Sequence, residues 1–471
     1  MTTYASTRGS VGSQNFRAVA LAGLAPDGGL YQPERCPKIT PYQLRELRHR
    51  RSYQEIAMFV LSRFMPDIPN GALWQIIQQA YSVEAFGREI VTTKELEENF
   101  FLMGLAGGPT LAFKDIGLRF LAHLLEYLLE ENGETLNILG ATSGDTGSAA
   151  EVALRGIKSV KVFMLSPLGR MSPFQRRQMY TISDPAIHNL AIRGTFDDSQ
   201  AVVKKVMADH EFKEKYRIGA VNSINWARIA AQVVYYVYTY LQVAKPGQSV
   251  TFVVPSGNFG NAYSAHIARL MGLPIKTIVV ATNENDVLRE FLETGRYRPR
   301  SSADVKITTS PSMDIAQASN LERLISDVAL RDPVIVRVLW DSLGKNGFFD
   351  LKDVDLFDPI TRVRGFETGT CNDRESLLTI ATTLARYGIF VDPHTAVGLK
   401  VGRRFLEQGQ GPVVVAETAQ AAKFEEAIKK ATGKAPPIPA RFENLAELPE
   451  HFTEMDPNPE KVKGFIVEHL A

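Results

Sequence analysis

Gly107-Gly-Pro-Thr-Leu-Ala-Phe-Lys-Asp115 places one lysine, Lys114, at the head of a strongly apolar helical pattern that runs from Ile116 to Leu129. Most lysines are solvated, and a cation is poorly placed at a helix N-terminus, where the backbone dipole is positive. The same field lowers the ammonium pKa and favours the neutral amine that a Schiff base requires. On spacing alone, a structural lysine beside a turn is still the simpler reading. A second segment, Gly140-Ala-Thr-Ser-Gly-Asp-Thr-Gly147, lies between a strand and a helix. Its glycines allow a tight turn, and Thr142, Ser143 and Thr146 offer hydroxyls beside free N–H groups, a combination that suits a carboxylate or a phosphate. An ordinary helix cap explains it equally well. Asp145 fits an anion cradle only if its own charge points elsewhere or accepts hydrogen bonds.

Pro255-Ser-Gly-Asn-Phe-Gly-Asn261 is another strand-to-helix turn. Gly257 and Gly260 let a ligand approach the backbone, while Asn258 and Asn261 tolerate left-handed dihedrals. The spacing matches neither a dinucleotide fingerprint nor a Walker A loop, so a phosphate monoester fits better than a pyrophosphate. Asn222-Ser-Ile-Asn-Trp-Ala-Arg228 opens a long helix with amide, hydroxyl and guanidinium groups available to a phosphate, or with Asn225 or Ser223 as a plain N-cap. His394, in Val391-Asp-Pro-His-Thr-Ala-Val-Gly398, reads as a capped structural histidine, and the eight histidines show no metal-ligand pairing, so no metal is expected. Arg170 reads as an anion ligand or an interlobe ion pair.

The elements that must position these loops alternate. Short apolar strands at Leu136–Leu139, Val160–Leu165, Thr251–Val254, Ile275–Val280 and Pro412–Ala416 are each followed by a helical pattern, the last of them Lys423–Ala431. Such alternation predicts βαβ units and a mostly parallel, doubly wound α/β sheet, with ligands at the carboxyl ends of its strands. The stretch from about Arg296 to Thr370 is too irregular to assign strand by strand. Before roughly residue 90 the pattern differs, with a Gly/Pro-rich opening from Gly23 to Pro33 and helices predicted around Tyr42–Arg51, Tyr53–Phe64 and Leu73–Tyr81. The basic run Arg45, Arg48, Arg50 and Arg51 reads as a solvated helix face.

Composition removes several classes. With 53 Lys+Arg against 52 Asp+Glu in 471 residues, there is no bulk field for nucleic acid or an acidic membrane. No apolar run is long enough to span a bilayer. The two cysteines, Cys36 and Cys371, make no disulfide framework, and with no compact secretory signal the expectation is a cytoplasmic protein.

Taken together, these motifs resemble the threonine synthase family, in its longer form with an extra N-terminal domain, among the fold-type II pyridoxal-phosphate enzymes. The resemblance covers nearly the whole chain: Ser6-Thr-Arg-Gly9, Gly23-Leu-Ala-Pro-Asp-Gly-Gly-Leu-Tyr31, Gly108 to Asp115, Ala141 to Ala150 and Val391 to Gly398, in that order. It implies two doubly wound lobes plus an N-terminal α+β domain over 1–90. The catalytic core over 91–471 would comprise a smaller substrate lobe at roughly 125–245 and a cofactor lobe from 91–124 and 246–471.

The resemblance further implies that Lys114 carries pyridoxal 5′-phosphate and is the catalytic base. Gly257, Asn258, Phe259, Gly260 and Asn261 would surround the cofactor phosphate, Thr418 would face the ring nitrogen, and Asp145 would lie near the 3′-oxygen. Ser143, Gly144 and Thr146 would surround the amino-acid part of the substrate, and Asn222, Ser223 and Arg228 its phosphate. The implied reaction converts O-phospho-L-homoserine and water to L-threonine and phosphate in a monomer or homodimer. If Asp145 is ionised, either the 3′-oxygen or the imine supplies the proton between them. The chain departs from the family at Glu417-Thr-Ala-Gln-Ala-Ala-Lys-Phe424, where Gln420 and Ala421 replace His and Pro, and at Gln14-Asn15-Phe16. Three rivals stand beside this reading. They are a phospholyase on the same scaffold that releases a 2-oxo acid, a non-catalytic sensor, and a phosphate-binding protein without the cofactor.

Overall fold

The computed structural model describes residues 2–50, 52–220, 222–357 and 365–470. Two parallel sheets carry the loops singled out above. The larger has six strands in the order Phe366–Thr370, Ile275–Thr282, Val250–Pro255, Val413–Glu417, Phe100–Gly104 and Thr92–Glu97. Only the last pair is antiparallel. Val250–Pro255 and Val413–Glu417 are nearly continuous apolar runs, as strands covered on both faces must be. The smaller sheet is parallel throughout, in the order Thr453–Met455, Ile187–Ile192, Val160–Pro167, Leu136–Ala141 and Ile218–Gly219.

Two segments sit differently from the sequence reading, which split the core at roughly 125, 245 and 246. The helix Trp226–Val243 packs against the helices Tyr53–Phe64, Lys114–Asn132 and Gly260–Met271 rather than over the smaller sheet. Its apolar residues run around most of its surface, and only a position between several helices buries them all. The C-terminal strand Thr453–Met455 and the helix Pro459–Leu470 cross back to the smaller sheet. There the strand pairs with Ile187–Ile192, an edge that would otherwise stay unpaired, and the helix packs on Phe196–Ala208. Within 296–370, the unassigned stretch, Arg296–Tyr297 pairs with Phe349–Asp350 and Phe366–Thr370 forms the sixth strand. The predicted helix Lys423–Ala431 is a 3-10 turn, Ala421–Phe424, followed by an α-helix, Glu425–Thr432.

Near the N-terminus, Tyr4–Ser6 pairs with Tyr31–Pro33, and the helices Phe16–Ala22, Pro41–Leu47, Tyr53–Phe64 and Asn70–Ala80 pack beside them. Asn15 of the departing Gln14-Asn15-Phe16 segment caps the first helix through Ala18 N at 2.9 Å. Arg48 lies over the Tyr240 ring and donates to Leu241 O at 3.0 Å, while Arg51 of the same basic run lies outside the described residues. The join to the core is aromatic. Trp226 is fully buried between the rings of Tyr4 and Phe64, with centroids at 6.0 and 5.7 Å, and the Arg323 guanidinium lies 5.6 Å from its ring. No helix is long and apolar enough to cross a membrane among the described residues.

Trp226→Ala empties the centre of this joint and is expected to cost about 3–5 kcal/mol in denaturant unfolding. A second expectation concerns Glu151, wholly buried on the helix Asp145–Leu154, whose Oε1 has no hydrogen-bond partner. Burial pushes its carboxyl from 4.5 up to about 8. The folded chain therefore holds a proton that the unfolded chain releases, and this contribution to stability is lost as pH rises from 4.5 through about 8. Glu151→Gln, neutral at every pH, is expected to flatten that decline and to raise the urea midpoint at pH 8 relative to wild type.

Candidate active site

The helix Lys114–Asn132 begins at Lys114 itself, with Phe113 before it and no side-chain cap. Phe113 N donates to Thr418 O at 2.9 Å and Ala112 bridges Ala419, so the backbone ties the lysine loop to the end of the strand Val413–Glu417. Asp115 closes the turn from behind, accepting from Thr110 N and Thr110 Oγ1, both at 2.7 Å. Lys114 Nζ lies 3.6 Å from Asp145 Oδ2 and donates to Ser312 Oγ at 3.4 Å. Burial lowers the Lys114 pKa below the usual lysine value; Asp145 opposes the fall, and Lys423 and Arg228 add to it.

Asp145 reaches Lys114 from the smaller sheet. Gly144 turns into its helix at φ +140°, a dihedral that L side chains rarely adopt, and a Cβ there would lie 2.8 Å from the Gln175 side chain. The buried Asp145 carboxylate accepts from Gln175 Nε2 at 2.9 Å and Ser312 Oγ at 2.8 Å, and Lys423 Nζ is 2.7 Å away. Burial works to raise its pKa, but Lys423, with Lys114 adding when it is protonated, outweighs that and holds the carboxyl well below the usual range. Its charge thus points away from the turn, and hydrogen bonds satisfy it. Ser143 is exposed at the turn and Thr146 half-buried in the first helical turn. Thr142 Oγ1 also serves the turn itself, accepting from Gly144 N at 3.0 Å and Gly147 N at 2.8 Å.

The loops 222–228 and 255–261 meet through a third that no motif announced. Asn320 Nδ2 donates to Ser223 O and Asn258 O, both at 3.2 Å, and Ser319 Oγ lies 3.2 Å from Ser223 Oγ and 3.4 Å from Asn258 Oδ1. Asn222 Oδ1 accepts from Ile224 N at 3.1 Å and shapes the bend, while Asn225 caps the helix through Ala227 N at 2.9 Å. Phe259 holds φ +64° immediately before the helix Gly260–Met271, which has no side-chain cap. A Cβ on Gly257 would lie 3.1 Å from Ser312 O, so the loop is closed against the Ser312 backbone.

Several buried polar atoms along these loops have no protein partner: Ser256 Oγ, Asn261 Nδ2, and Nε and Nη1 of Arg228. Asn261 Oδ1 is occupied by Tyr235 Oη at 2.6 Å and Tyr236 Oη at 2.5 Å, which fixes the amide and leaves its donors unused. Arg228 is 4% exposed, and burial pulls its guanidinium down to about 10. Unmatched buried donors of this kind are costly, and together with an uncapped helix N-terminus they fit groups that bring anionic oxygens. Pyridoxal phosphate, with one phosphate and a carbonyl that a neutral lysine can engage, meets that requirement.

Thr418 is buried, its N–H donating to Thr395 Oγ1 at 3.4 Å. Gln420, where the resembled family has histidine, donates to Ala106 O at 2.8 Å, and its N–H donates to Leu111 O. It therefore braces the lysine loop from both sides. His394 is the buried, hydrogen-bonded histidine expected, with Nδ1 at 2.7 Å from Asp392 and Nε2 accepting from Ser312 N at 3.1 Å. Through Ser312 it nonetheless reaches Asp145 and Lys114. Arg170 is exposed and makes no ion pair among the described residues. Gln175, Ser312, Asn320 and Lys423 escaped the sequence reading. Ser312 and Asn320 fall in the stretch left unassigned, and only the position of Lys423 inside the Thr418 motif could have signalled it.

Comparison with known proteins identifies the family. Residues 3–81 match the family described as threonine synthase N terminus, residues 90–338 pyridoxal-phosphate dependent enzyme, and residues 395–466 threonine synthase, C-terminal. The chain is 50% identical to threonine synthase of Methylobacillus glycogenes, over 99% of this chain and 100% of that one. It is 47% identical to the Corynebacterium glutamicum enzyme, over 99% and 98%. The crystal structure of PLP-bound threonine synthase from Brucella melitensis superposes with a TM-score of 0.94 at 40% identity, covering 100% of this chain and 99% of that one. The yeast enzyme superposes at 0.93 and 34% identity, covering 99% and 98%. The chain belongs to the threonine synthase family of pyridoxal-phosphate-dependent enzymes.

Proposed function

We propose that this chain converts O-phospho-L-homoserine and water to L-threonine and phosphate, by γ-elimination followed by addition of water at Cβ. One observation carries the choice of substrate: the buried, unpaired guanidinium of Arg228 at the head of the helix Trp226–Val243. A cation in that position requires a strong anion, and an arginine fork suits a phosphate. In this reading Arg228 grips the substrate phosphate with Asn222 and Ser223 beside it, and Ser143, Gly144 and Thr146 receive the amino-acid end. Lys114 carries the cofactor, Gly257 to Asn261 cradle its phosphate, and Thr418 and Asp145 face the ring. When bound, pyridoxal phosphate supplies an electron sink that acidifies the substrate carbons next to the nitrogen.

The reaction needs protons moved at three neighbouring carbons. Lys114 Nζ, lowered by burial, is the base that takes the Cα proton. A Cβ proton then leaves, and the Cγ–O bond breaks with its electrons on the departing phosphate. A proton returns to Cγ, water adds its hydroxyl to Cβ, and Cα is reprotonated, so substrate and water balance threonine and phosphate. Arg228 stabilises the charge that grows on the leaving phosphate. The neutral Thr418 hydroxyl leaves the ring nitrogen without a carboxylate partner, which moderates the sink. We place this chemistry in the cytoplasm, in a monomer or homodimer. In support, Cys36 and Cys371 are free, and burial pushes both thiols up to about 12.

Product identity is the test. Incubated with O-phospho-L-homoserine and followed by NMR, the loaded enzyme is expected to release phosphate and threonine in equal amounts, and Lys114→Ala to release neither. Phosphate with 2-oxobutyrate and ammonia would move the chain to the phospholyase reading. Unchanged ligand binding without turnover would make it a sensor. Arg228→Met in the loaded protein is expected to weaken protection by inorganic phosphate at least about tenfold, read as a thermal shift across a phosphate titration. The same change should leave the phosphate-free protein no less stable, because it removes a buried unpaired charge.

A further inference from the structure

Neither the motifs nor the proposed mechanism gives Lys423 a role. Its side chain is wholly buried in the turn Ala421–Phe424, where Nζ lies 2.7 Å from Asp145 Oδ1 and donates to Thr110 O at 2.8 Å. Thr110 belongs to the loop that leads into Lys114. The ion pair therefore joins the smaller sheet, the Thr418 loop and the lysine loop at one point.

The charges do not balance there. Lys114 faces Asp145 at 3.6 Å with a side chain 15% exposed, and Lys423 faces it at 2.7 Å with a side chain 0% exposed. Among the described residues, Asp145 is the only carboxylate within ion-pair distance of either lysine. The other ionisable groups nearby are His394 behind Ser312, Arg228, and Asp115 beside Thr110. Two ammonium groups sharing one carboxylate away from water leave a net buried charge, and the more weakly held cation gives up its proton. Lys423 has the shorter contact and a second acceptor. Lys114 has the longer contact and one hydroxyl at 3.4 Å.

We infer that Lys423 is a positioning residue for the reaction: it locks Asp145 as a carboxylate across the seam between the sheets and, by satisfying that charge, leaves the Lys114 amine free and neutral. Asp145 is then an acceptor only. Any proton it shares with the cofactor is held on the cofactor's side. This inference rests on the roles proposed above for Lys114 and Asp145.

The test is a pH titration of the visible cofactor band in wild-type, Lys423→Met and Lys423→Arg holoenzymes. Lys423→Met removes one buried cation and returns Asp145 to the Lys114 nitrogen, so its midpoint is expected to rise by about one pH unit or more. Lys423→Arg keeps the charge and is expected to stay within about 0.3 unit of wild type. A residue that only fills space would lower the melting temperature without moving the midpoint. An unchanged midpoint in folded Lys423→Met overturns the inference, and so does a wild-type band that stays protonated up to about pH 10. Should Lys423→Met fail to fold, Lys423→Gln, which keeps a donor for Asp145 and Thr110 but no charge, is read in the same way. Failure of the functional reading looks different: the wild type would take up no pyridoxal phosphate, or its band would survive Lys114→Ala.

Discussion

A carboxylate removed from water has to be matched by specific partners, and Asp145 finds its partners on the other sheet. It stands at the first turn of the helix Asp145–Leu154, and Lys423, Lys114 and Ser312 come to it from loops of the larger sheet, while Gln175 alone comes from its own side. Breaking such a cluster strands a charge in a low-dielectric seam, at a cost of about 3–5 kcal/mol. The two sheets are thus held in one relation by a polar contact that also contains Lys114, the lysine to which the proposed chemistry is assigned.

A second node centres on Arg323. Arg323, fully buried, donates to Asn320 Oδ1 and Ile224 O, both at 2.5 Å, and to Tyr31 O at 2.9 Å. Asn320 in turn holds the Ser223 and Asn258 carbonyls. The strand at Tyr31 therefore reaches the loops 222–228 and 255–261 through a single guanidinium. Arg8 adds a paired contact to Glu322, with both distances at 3.1 Å. For the N-terminal motifs Ser6-Thr-Arg-Gly9 and Gly23 to Tyr31, this network gives a physical role. They brace the loops 222–228 and 255–261.

Much of this was legible in the amino acids. Strand-helix alternation announces parallel sheets because a parallel crossover needs a helix, and the glycine-rich turns fall at strand ends because only there does the backbone both turn sharply and expose N–H groups. Lys114 stood out as a lysine oddly placed at a helix N-terminus, yet its spacing alone favoured a structural role, and only the family resemblance gave it a chemical one. Thr142 shows what spacing does not reveal: its oxygen also closes the turn, accepting from the N–H groups of Gly144 and Gly147. Gln420 shows the reverse case, a departure from the family pattern whose amide finds the Ala106 carbonyl and keeps the loop braced.

By itself the sequence determined most element types outside 296–370 and the chemistry that its loops offer, since each depends on neighbours a few residues apart. Tertiary structure alone decided which loops meet. Ser312 and Asn320 sit in a stretch without clear periodicity, and Lys423 looks like any lysine near a helix until a fold brings it within 2.7 Å of a residue 278 positions earlier, Asp145. Spacing along a chain encodes helices and strands. Charge balance in a buried seam is set by groups that the chain brings together only when it closes, and so the state of Lys114 could be read only after folding placed its partners around it.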